Sequence, residues 1–414
     1  MRATSLLRLL LDLKQTKVTG FELTPSGLEI DVAPTTRRPR CGCCGGKCSA
    51  GYDARRRRWR HLDFAGMTVE LRYAIRRVDC RRCGVTTEMV PWAEHASWFT
   101  RDFEDMVALL AQKTDKTFVH HMMGIAWQTV GNIIQRVVAR KGPTDLLDDL
   151  THIGIDELSY KKHHHYLTIV TDHVRGRVVW VGIRRSADTL RQFFDDLGEE
   201  RAARLHVVSI DMLAGYIEAA RERAPNAAIV FDRFHVQRLA HDALDRVRRD
   251  QARELHGSEE GKAIKKTRWA LQKNPWNLTL AEHGKLASVQ TTNRPLYRAY
   301  LLKETLCAVL DRRQPNVARD KLEDWIRWAQ RSQLEPFQKL AKTVQRHFEG
   351  IVAYVRTKLS NGRSEGINSK VRVITKRSYG FHDPRSLIAM IFLCCSGLTL
   401  LPVRHFPNVR PYPG

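Results

Sequence analysis

The sequence lacks any apolar run long enough to cross a membrane, since a spanning helix needs about 18 or more mostly apolar residues. The stretch from Ser5 to Leu13 is interrupted by Arg8 and Asp12, and the stretch from 387 to 401 is too short. We therefore predict that the second stretch forms a buried core helix and that the protein has no membrane partner.

A small-residue cleavage site, which a secretory signal peptide would carry, is also missing from the N-terminus. We therefore expect a cytoplasmic protein. Six of the nine cysteines lie between Cys41 and Cys83, and the other three have apolar neighbours. In a reducing compartment this clustering favours a metal site over disulfides.

Acidic residues are scarce relative to basic ones. The 414 residues include 45 Asp and Glu against 69 Lys and Arg, which gives a formal net charge of +24. Such an excess indicates a polyanionic partner, nucleic acid or an acidic membrane, and makes an enzyme of small neutral substrates an odd match. The length allows two to four domains at about 100–200 residues each.

Two Cys-x-x-Cys pairs predict a structural zinc site. Cys41 and Cys44 form the first pair, Cys80 and Cys83 the second, and four thiolates can surround Zn²⁺ tetrahedrally. At the first knuckle Cys43 or Cys48 could replace a ligand, and free core cysteines are the plainer alternative.

The same segment is strongly basic, with 14 Lys and Arg against four Asp and Glu between residues 35 and 83. A charge run is usually a solvated face, but this one surrounds Trp59 and lies beside the cysteine knuckles. We therefore predict that it contacts DNA phosphates. The candidate side chains are Arg55, Arg56, Arg57, Arg58 and Arg60.

Residues 98–142 have the pattern of a helix-turn-helix. Gly124 would occupy the turn, and Ile125, Val130 and Ile133 would pack inward. Ala126, where such helices usually begin with Ser or Thr, weakens the cap. An ordinary helical linker is the alternative. The outward, DNA-reading residues would be Trp127, Gln128, Thr129 and Asn132.

The middle of the chain predicts a mixed α/β domain. Apolar strands are expected at 152–157, 165–171 and 177–181, then helix 187–197, strand 205–210, helix 213–223 and strand 227–231. This is the element order of the RNase H-like fold. The acids Asp156, Asp211 and Asp232 fall at strand ends, where side chains converge at one edge of the sheet.

Carboxylates at such an edge suit hard divalent cations. Two Mg²⁺ ions roughly 3.5–4 Å apart can activate a water or a 3′-hydroxyl in phosphodiester displacement. Two aspartates and one further acid would hold them.

The mostly helical segment that follows contains Trp269, Trp276, Trp325 and Trp328 as candidate core anchors. After it, a helix would carry Glu365 and Asn368 on one face.

The motifs together resemble the bacterial insertion-sequence transposases of the ISL-three family. They are Gly-Ile-Asp156-Glu157, Ser-Ile-Asp211-Met, Val-Phe-Asp232-Arg-Phe-His235-Val, Ser-Asn-Gly-Arg-Ser-Glu365-Gly-Ile-Asn368, and Tyr379-Gly-Phe381 downstream. The resemblance covers nearly the whole chain and keeps the motifs in order.

This resemblance implies a DDE-type RNase H-like catalytic domain with a large α-helical insertion, preceded by a zinc-binding module and a helix-turn-helix. It implies that Asp156, Asp211 and Glu365 are the catalytic triad and hold two Mg²⁺ or Mn²⁺ ions. Asp232, His235 and Asn368 would support that site. Glu157 should point to the opposite face of its strand. Phosphates near the metals would be held by Lys370, Arg372, Lys376 and Arg377.

The resulting domain prediction has six parts: a zinc-binding DNA-binding module at 1–92, a helix-turn-helix at 98–142, the first part of the catalytic core at 150–236, a helical insertion at 237–355, the C-terminal helices of the core at 356–402, and a tail at 403–414. We expect the protein to be a transposase that binds terminal inverted repeats, cleaves DNA and transfers strands. It would act as a dimer or higher oligomer that holds two DNA ends. A non-catalytic DNA-binding regulator and a structure-selective nuclease are the alternatives.

Overall fold

A computed structural model describes residues 3–48, 51–161, 165–357, 359, 362–378 and 383–401. The histidine run at 163–164, the tail from 402 and Tyr379 and Phe381 lie outside the described residues. The chain divides into two compact units, Met1–Pro143 with Lys376–Gly414, and Thr144–Thr375. No helix in the described residues is both long enough and apolar enough to cross a membrane.

The described part of the first unit contains a five-stranded sheet and five helices, of which α3 and α4 form the helix-turn-helix. Its sheet has the order β1-β2-β4-β3, with β5 paired to β4. The elements are α1 (Ala3–Leu11), β1 (Thr16–Thr24), β2 (Gly27–Pro34), β3 (Gly51–Phe64), β4 (Met67–Cys80), β5 (Gly84–Thr87), α2 (Arg101–Lys113), α3 (Lys116–Met123), α4 (Trp127–Lys141) and α17 (Pro384–Cys395).

The hairpin of β3 and β4 dominates this sheet. Its two-residue turn, Ala65 and Gly66, has positive φ at both positions, which matches the right-handed twist of the strands. The core beneath contains Trp59, which is 1% exposed and packs edge-on against Trp92 at 5.5 Å between ring centroids. Trp59, which the basic run surrounds in the sequence, is therefore a core residue, because its position in the strand turns it inward.

The helix-turn-helix is held together by a buried polar network. Glu104 of α2 is fully buried and accepts from Arg136 at 2.7 Å and Arg140 at 3.1 Å, both on α4. Such a carboxylate is tolerated in a core only because it is fully paired. The two helices are thereby fixed at one relative orientation.

The last apolar helix, α17, packs against α2 and α4 in the first unit. The sequence had placed this helix with the catalytic core. Its buried face, which includes Leu387 and Ile391, confirms the prediction of a core helix but completes a different core from the expected one.

The second unit contains the mixed sheet and the remaining helices. The sheet has the order β10-β9-β6-β7-β8. Its strands and the helices between them are β6 (His152–Lys161), β7 (His165–Asp172), β8 (Arg177–Ile183), α5 (Ala187–Leu197), α6 (Glu199–Ala202), β9 (Val207–Ile210), α7 (Ala214–Arg223) and β10 (Ala228–Phe231).

The helices that follow are α8 (Arg233–Glu254), α9 (Glu259–Lys265), α10 (Arg268–Gln272), a 3-10 turn (Pro275–Asn277), α11 (Leu280–Thr292), α12 (Arg294–Leu310), α13 (Pro315–Gln330), α14 (Glu335–Arg346), α15 (Phe348–Thr357) and α16 (Gly362–Arg377). One continuous core joins the sheet to α5, α7, α8 and α12–α15.

The topology confirms the predicted RNase H-like fold. Strands β6, β7 and β8 form an antiparallel meander, whereas β9 pairs with both β6 and β10 in parallel. The observed β6 runs five residues beyond Asp156, so this acid lies within the strand and not at its end.

Of the four tryptophans predicted to anchor the helical region, only Trp325 is buried. Its indole donates to the Leu302 carbonyl at 2.8 Å. Trp269 and Trp276 are 65% and 76% exposed, and Trp328 is 37% exposed, so the prediction is wrong for these three. Tryptophan spacing alone did not distinguish the buried faces of these helices from their exposed ones.

Candidate active site, zinc knuckle and nucleic-acid interface

Four cysteines converge at the base of the β3–β4 hairpin. The sulfurs of Cys41, Cys44, Cys80 and Cys83 all lie within 4.8 Å of one another, which is the arrangement that a tetrahedral Zn²⁺ site requires. Gly45, with φ +70°, forms the first knuckle turn, where its N–H donates to the Cys41 carbonyl at 2.9 Å. The backbone N–H groups of Arg82 and Cys83 lower the pKa of Cys80 to about 6.

The two competing cysteines lie outside this group. The Cys43 sulfur is exposed and faces His95 and Thr86, at 3.8 and 3.4 Å. Cys48 is buried, its sulfur lies 3.7 Å from the Gly46 carbonyl, and burial raises the pKa of its thiol. Among the described residues only the four Cys-x-x-Cys sulfurs form a metal-ligand group, so the donor set fits a structural zinc ion.

Some arginines of the basic run on β3 make contacts within the protein, whereas others do not. Arg58 pairs with Glu29 and Glu70 at 3.1 and 3.3 Å, and Arg60 pairs with Asp63 at 2.5 Å. The Arg57 guanidinium lies 4.5 Å from the exposed Trp98 ring, and burial lowers the pKa of Arg57.

Arg55 and Arg56, by contrast, are exposed, and no hydrogen bond or ion pair to their side chains occurs in the described part of the chain. Of the five predicted phosphate contacts, these two are therefore the arginines that remain free for a ligand.

The helix-turn-helix has the predicted geometry. Gly124 ends α3 with φ +62°, and Ile125, Val130 and Ile133 are buried. Ala126 precedes α4 without a side-chain cap, as expected. Gln128 and Asn132 are exposed on α4, and Thr129 is half-buried.

Trp127 differs from the other predicted DNA-reading residues. Its ring lies over the buried Lys116, with the ammonium 3.5 Å from a ring centroid, and burial lowers the pKa of Lys116 to about 8. This cation–π contact fixes the start of α4 against α3. Sequence spacing contained no signal for it.

Asp156 on β6 and Asp211, the residue directly after β9, lie at corresponding positions of two neighbouring strands. Gly154 on β6 pairs with Ser209 on β9, and each aspartate is two residues further along its chain in the same direction. Burial, and to a lesser extent the charge of Asp211, raise the pKa of Asp156 to about 6. The two carboxylates therefore repel each other, and a cation between them would relieve that repulsion.

Hydrogen bonds orient Asp156. One carboxylate oxygen accepts from the backbone N–H of Glu157 at 2.7 Å, and the other accepts from the Asn368 amide of α16. Glu157 points away from this contact and pairs with Arg185 at 2.6 Å on the other side of the strand.

His235 approaches Asp211 from the first turn of α8. Its Nδ1 lies 2.7 Å from Asp211 Oδ1 and 3.6 Å from Asp232 Oδ2. Burial acts to lower the pKa of His235, but the contact with Asp211 and the charges of the nearby acids outweigh burial, so the pKa is raised. Asp232 is 1% exposed, and burial raises its pKa.

Glu365 lies exposed near the start of α16, three residues before Asn368, so the two share a helix face. Its charge also contributes to the raised pKa of Asp232, after the larger effect of burial. The three proposed ligands do not form as tight a group as the four cysteines do among the described residues. Their chemistry, hard carboxylate oxygens beside a mutually repelling pair, nevertheless fits a divalent cation.

Comparison with known proteins covers both units. A transposase family model matches residues 153–391, a zinc-finger model of the transposases of IS204, IS1001, IS1096 and IS1165 matches 37–83, and the helix-turn-helix domain of transposase family ISL3 matches 88–138.

Curated relatives match over nearly the whole length. The transposase for insertion sequence element IS1557 of Mycobacterium tuberculosis is 41% identical over 392 residues, 88% of each chain. The transposase for IS1001 of Bordetella parapertussis is 30% identical over 359 residues, 86% of this chain and 88% of the relative. The chain belongs to the ISL3 family of transposases. The resemblance inferred from the motifs, and the zinc-binding and helix-turn-helix modules expected with it, are thereby confirmed.

The basic residues of α16 in this ISL3 transposase differ in their environments. Lys370, Arg372 and Lys376 are exposed, whereas Arg377 donates to the Ala111 carbonyl at 3.0 Å and is half-buried. Arg377 therefore has a structural contact, which its place in a basic stretch did not indicate.

Proposed function

We propose that this transposase binds the terminal inverted repeats of an insertion sequence, cleaves DNA at their ends in a divalent-metal-dependent reaction and transfers the freed strand to target DNA. The observation that carries the proposal is that Asp156 and Asp211 each lie two residues beyond the paired Gly154 and Ser209, with Asn368 of the Glu365 helix hydrogen-bonded to Asp156.

In this proposal Asp156, Asp211 and Glu365 hold the metal ions. Two Mg²⁺ or Mn²⁺ ions, when bound, would activate the attacking water or 3′-hydroxyl and stabilise the leaving oxygen. Asn368 orients Asp156, and His235 orients Asp211, backed by Asp232. A buried, hydrogen-bonded carboxylate is held in one rotamer, which metal ligation requires.

The first unit would recognise the DNA ends. Gln128, Thr129 and Asn132 occupy the recognition helix and suit base-edge contacts in the major groove. Arg55 and Arg56 suit phosphate contacts, because no acid among the described residues pairs with them. Lys370, Arg372 and Lys376 would contact phosphates near the carboxylates.

Two transposon ends must be held together for strand transfer, so we expect a dimer or higher oligomer on DNA, acting at the nucleoid. The net charge of +24 supports DNA contacts at several sites, with an affinity that falls as the salt concentration rises.

The test is cleavage of a supercoiled plasmid that carries both inverted repeats, compared with a plasmid of equal length that lacks them. With Mg²⁺ we expect nicks at the repeat ends that leave 3′-hydroxyls, and none in EDTA. Repeat-specific binding without any metal-dependent nick would instead indicate a DNA-binding regulator. Equal cutting of both plasmids would indicate a structure-selective nuclease.

A further inference from the structure

A cleft of about 700 Å³ runs beside the edge strand of the catalytic sheet, within the second unit. β10 forms one edge of the sheet, and its residues Ile229 and Phe231 are part of the lining. The rest comes from the end of α7, the beginning of α13, the end of α14 and most of the length of α15. Helix α15 reaches the strand because Gly350 has no side chain, since a Cβ there would come within 2.4 Å of the Phe231 ring.

The lining is strongly basic. It contains four arginines, Arg221, Arg319, Arg346 and Arg356, against a single acid, Glu349. Arg319 and Glu349 neutralise each other through two parallel hydrogen bonds of 2.9 and 2.7 Å.

The other three arginines are exposed and make no side-chain ion pair or hydrogen bond within the described ranges. Arginines elsewhere in the unit commonly have such partners: Arg185 pairs with Glu157, and Arg191 with Glu222. Three unpaired guanidinium groups around one cleft therefore indicate an anion that is supplied from outside the chain.

The environment of His347, which also lines the cleft, shows the effect of these positive charges. Its ring packs edge-on against Phe231 at 4.9 Å between centroids. Burial lowers the pKa of His347, and the charges of Arg346 and Arg221 lower it further. The fields of arginines from two different helices thus meet at this imidazole.

We propose that this cleft holds a phosphodiester segment of DNA, as a contact separate from the carboxylate cluster. The cleft is in the size range of ligand pockets, about 300–1,000 Å³, and so is large for one inorganic phosphate. Apolar lining residues such as Phe348 and Val352 suit sugars and bases between the phosphates.

The position of the cleft connects it to the active site. Phe231 lines the cleft, and the next residue, Asp232, belongs to the carboxylate cluster. A strand bound along β10 would lead towards the carboxyl end of the sheet, where the chemistry is proposed. The inference rests on the proposed function only in taking the polyanion to be DNA.

The test compares two double variants of the full-length protein. Arg346→Ala/Arg356→Ala removes two guanidinium groups from the cleft. The control, Arg294→Ala/Arg331→Ala, removes two exposed arginines that lie outside the lining of the cleft. Affinity for one fixed DNA duplex is measured by fluorescence anisotropy across a series of salt concentrations.

Each phosphate contact contributes about 0.9 to the slope of log affinity against log salt. We expect the cleft variant to lose one to two units of slope and at least about tenfold in affinity at low salt, with the control close to wild type. Equal slopes for the two double variants would overturn the proposal.

Inorganic phosphate and a mononucleotide, tested as competitors, distinguish a small ligand from DNA. If either one binds at micromolar concentration and loses affinity only in the cleft variant, the site is a small-phosphate site and the DNA proposal is wrong. The control variant keeps all three proposed catalytic acids and the lining of the cleft, so we expect it to nick as the wild type does. A protein that never nicks but shows the slope difference would contradict the proposed function and leave the cleft contact supported.

Discussion

Asp156→Asn, Asp211→Asn and Glu365→Gln are each expected to reduce Mg²⁺-dependent DNA cleavage by about 10³-fold or more, the scale on which removal of a key transition-state charge acts. Each amide keeps the shape of the side chain but removes the negative charge that a divalent cation needs. Plasmid nicking under single-turnover conditions measures the effect. Because the changes lie outside the helix-turn-helix, binding to repeat DNA should remain close to wild type.

Glu157→Gln is the matched control for this series. Glu157 is next to Asp156 in the chain but pairs with Arg185 on the opposite side of the strand, so its amide should nick within a few-fold of the wild-type rate. If Glu157→Gln were as inactive as Asp156→Asn, the loss of cleavage would reflect any charge removal in this part of β6 and would not identify Asp156 as a metal ligand. An active Asp156→Asn would remove Asp156 from the triad.

The second large effect is expected at the zinc knuckle. Cys80→Ser should release the metal, unfold the knuckle and abolish specific DNA binding. The core at this point is small, consisting of Cys41, Cys48, Val78 and Cys80, so few apolar contacts would hold it without the ion. Structural zinc commonly contributes about 10–16 kcal/mol to such folds at neutral pH.

Zinc content by atomic absorption, protease resistance of the first unit and affinity for repeat DNA measure the outcome. Cys43→Ser is the control, because the Cys43 sulfur is exposed and outside the ligand group. It should keep one zinc ion per chain. Cys80→Ser with full zinc and wild-type affinity would contradict the assignment.

The parts of the fold that depend on local periodicity could be predicted from the sequence. Helix α5 was predicted with its observed limits, since Ser186 caps it by accepting from the Thr189 N–H and Gly198 ends it. The strand order is consistent with short crossovers, because α5 and α6 return the chain so that β9 lies parallel beside β6, and α7 returns it so that β10 lies parallel beside β9. The adjacency of Asp156 and Asp211 was a consequence of that order.

Long-range partners could not be predicted from local pattern. The arginine run gives no sign that Glu29, more than twenty residues earlier, neutralises Arg58, because that pairing depends on the parallel register of β2 and β4. The cysteine spacing left Cys43 and Cys48 as alternatives for the same reason, since the direction of each sulfur is set by the fold of the knuckle. Exposed Trp269 and Trp276 show that a large apolar side chain alone does not identify a core position.

Exchange of a proposed metal ligand for a thiol tests the central claim most directly. Thiolate is a poor ligand for hard Mg²⁺ and a better one for softer divalent ions such as Mn²⁺. Asp211→Cys should therefore be inactive with Mg²⁺, and its cleavage rate should be at least about tenfold higher with Mn²⁺ than with Mg²⁺. Asp211→Asn should stay inactive with both ions. If Mn²⁺ fails to rescue the cysteine variant, or rescues both variants equally, Asp211 does not ligate the catalytic metal.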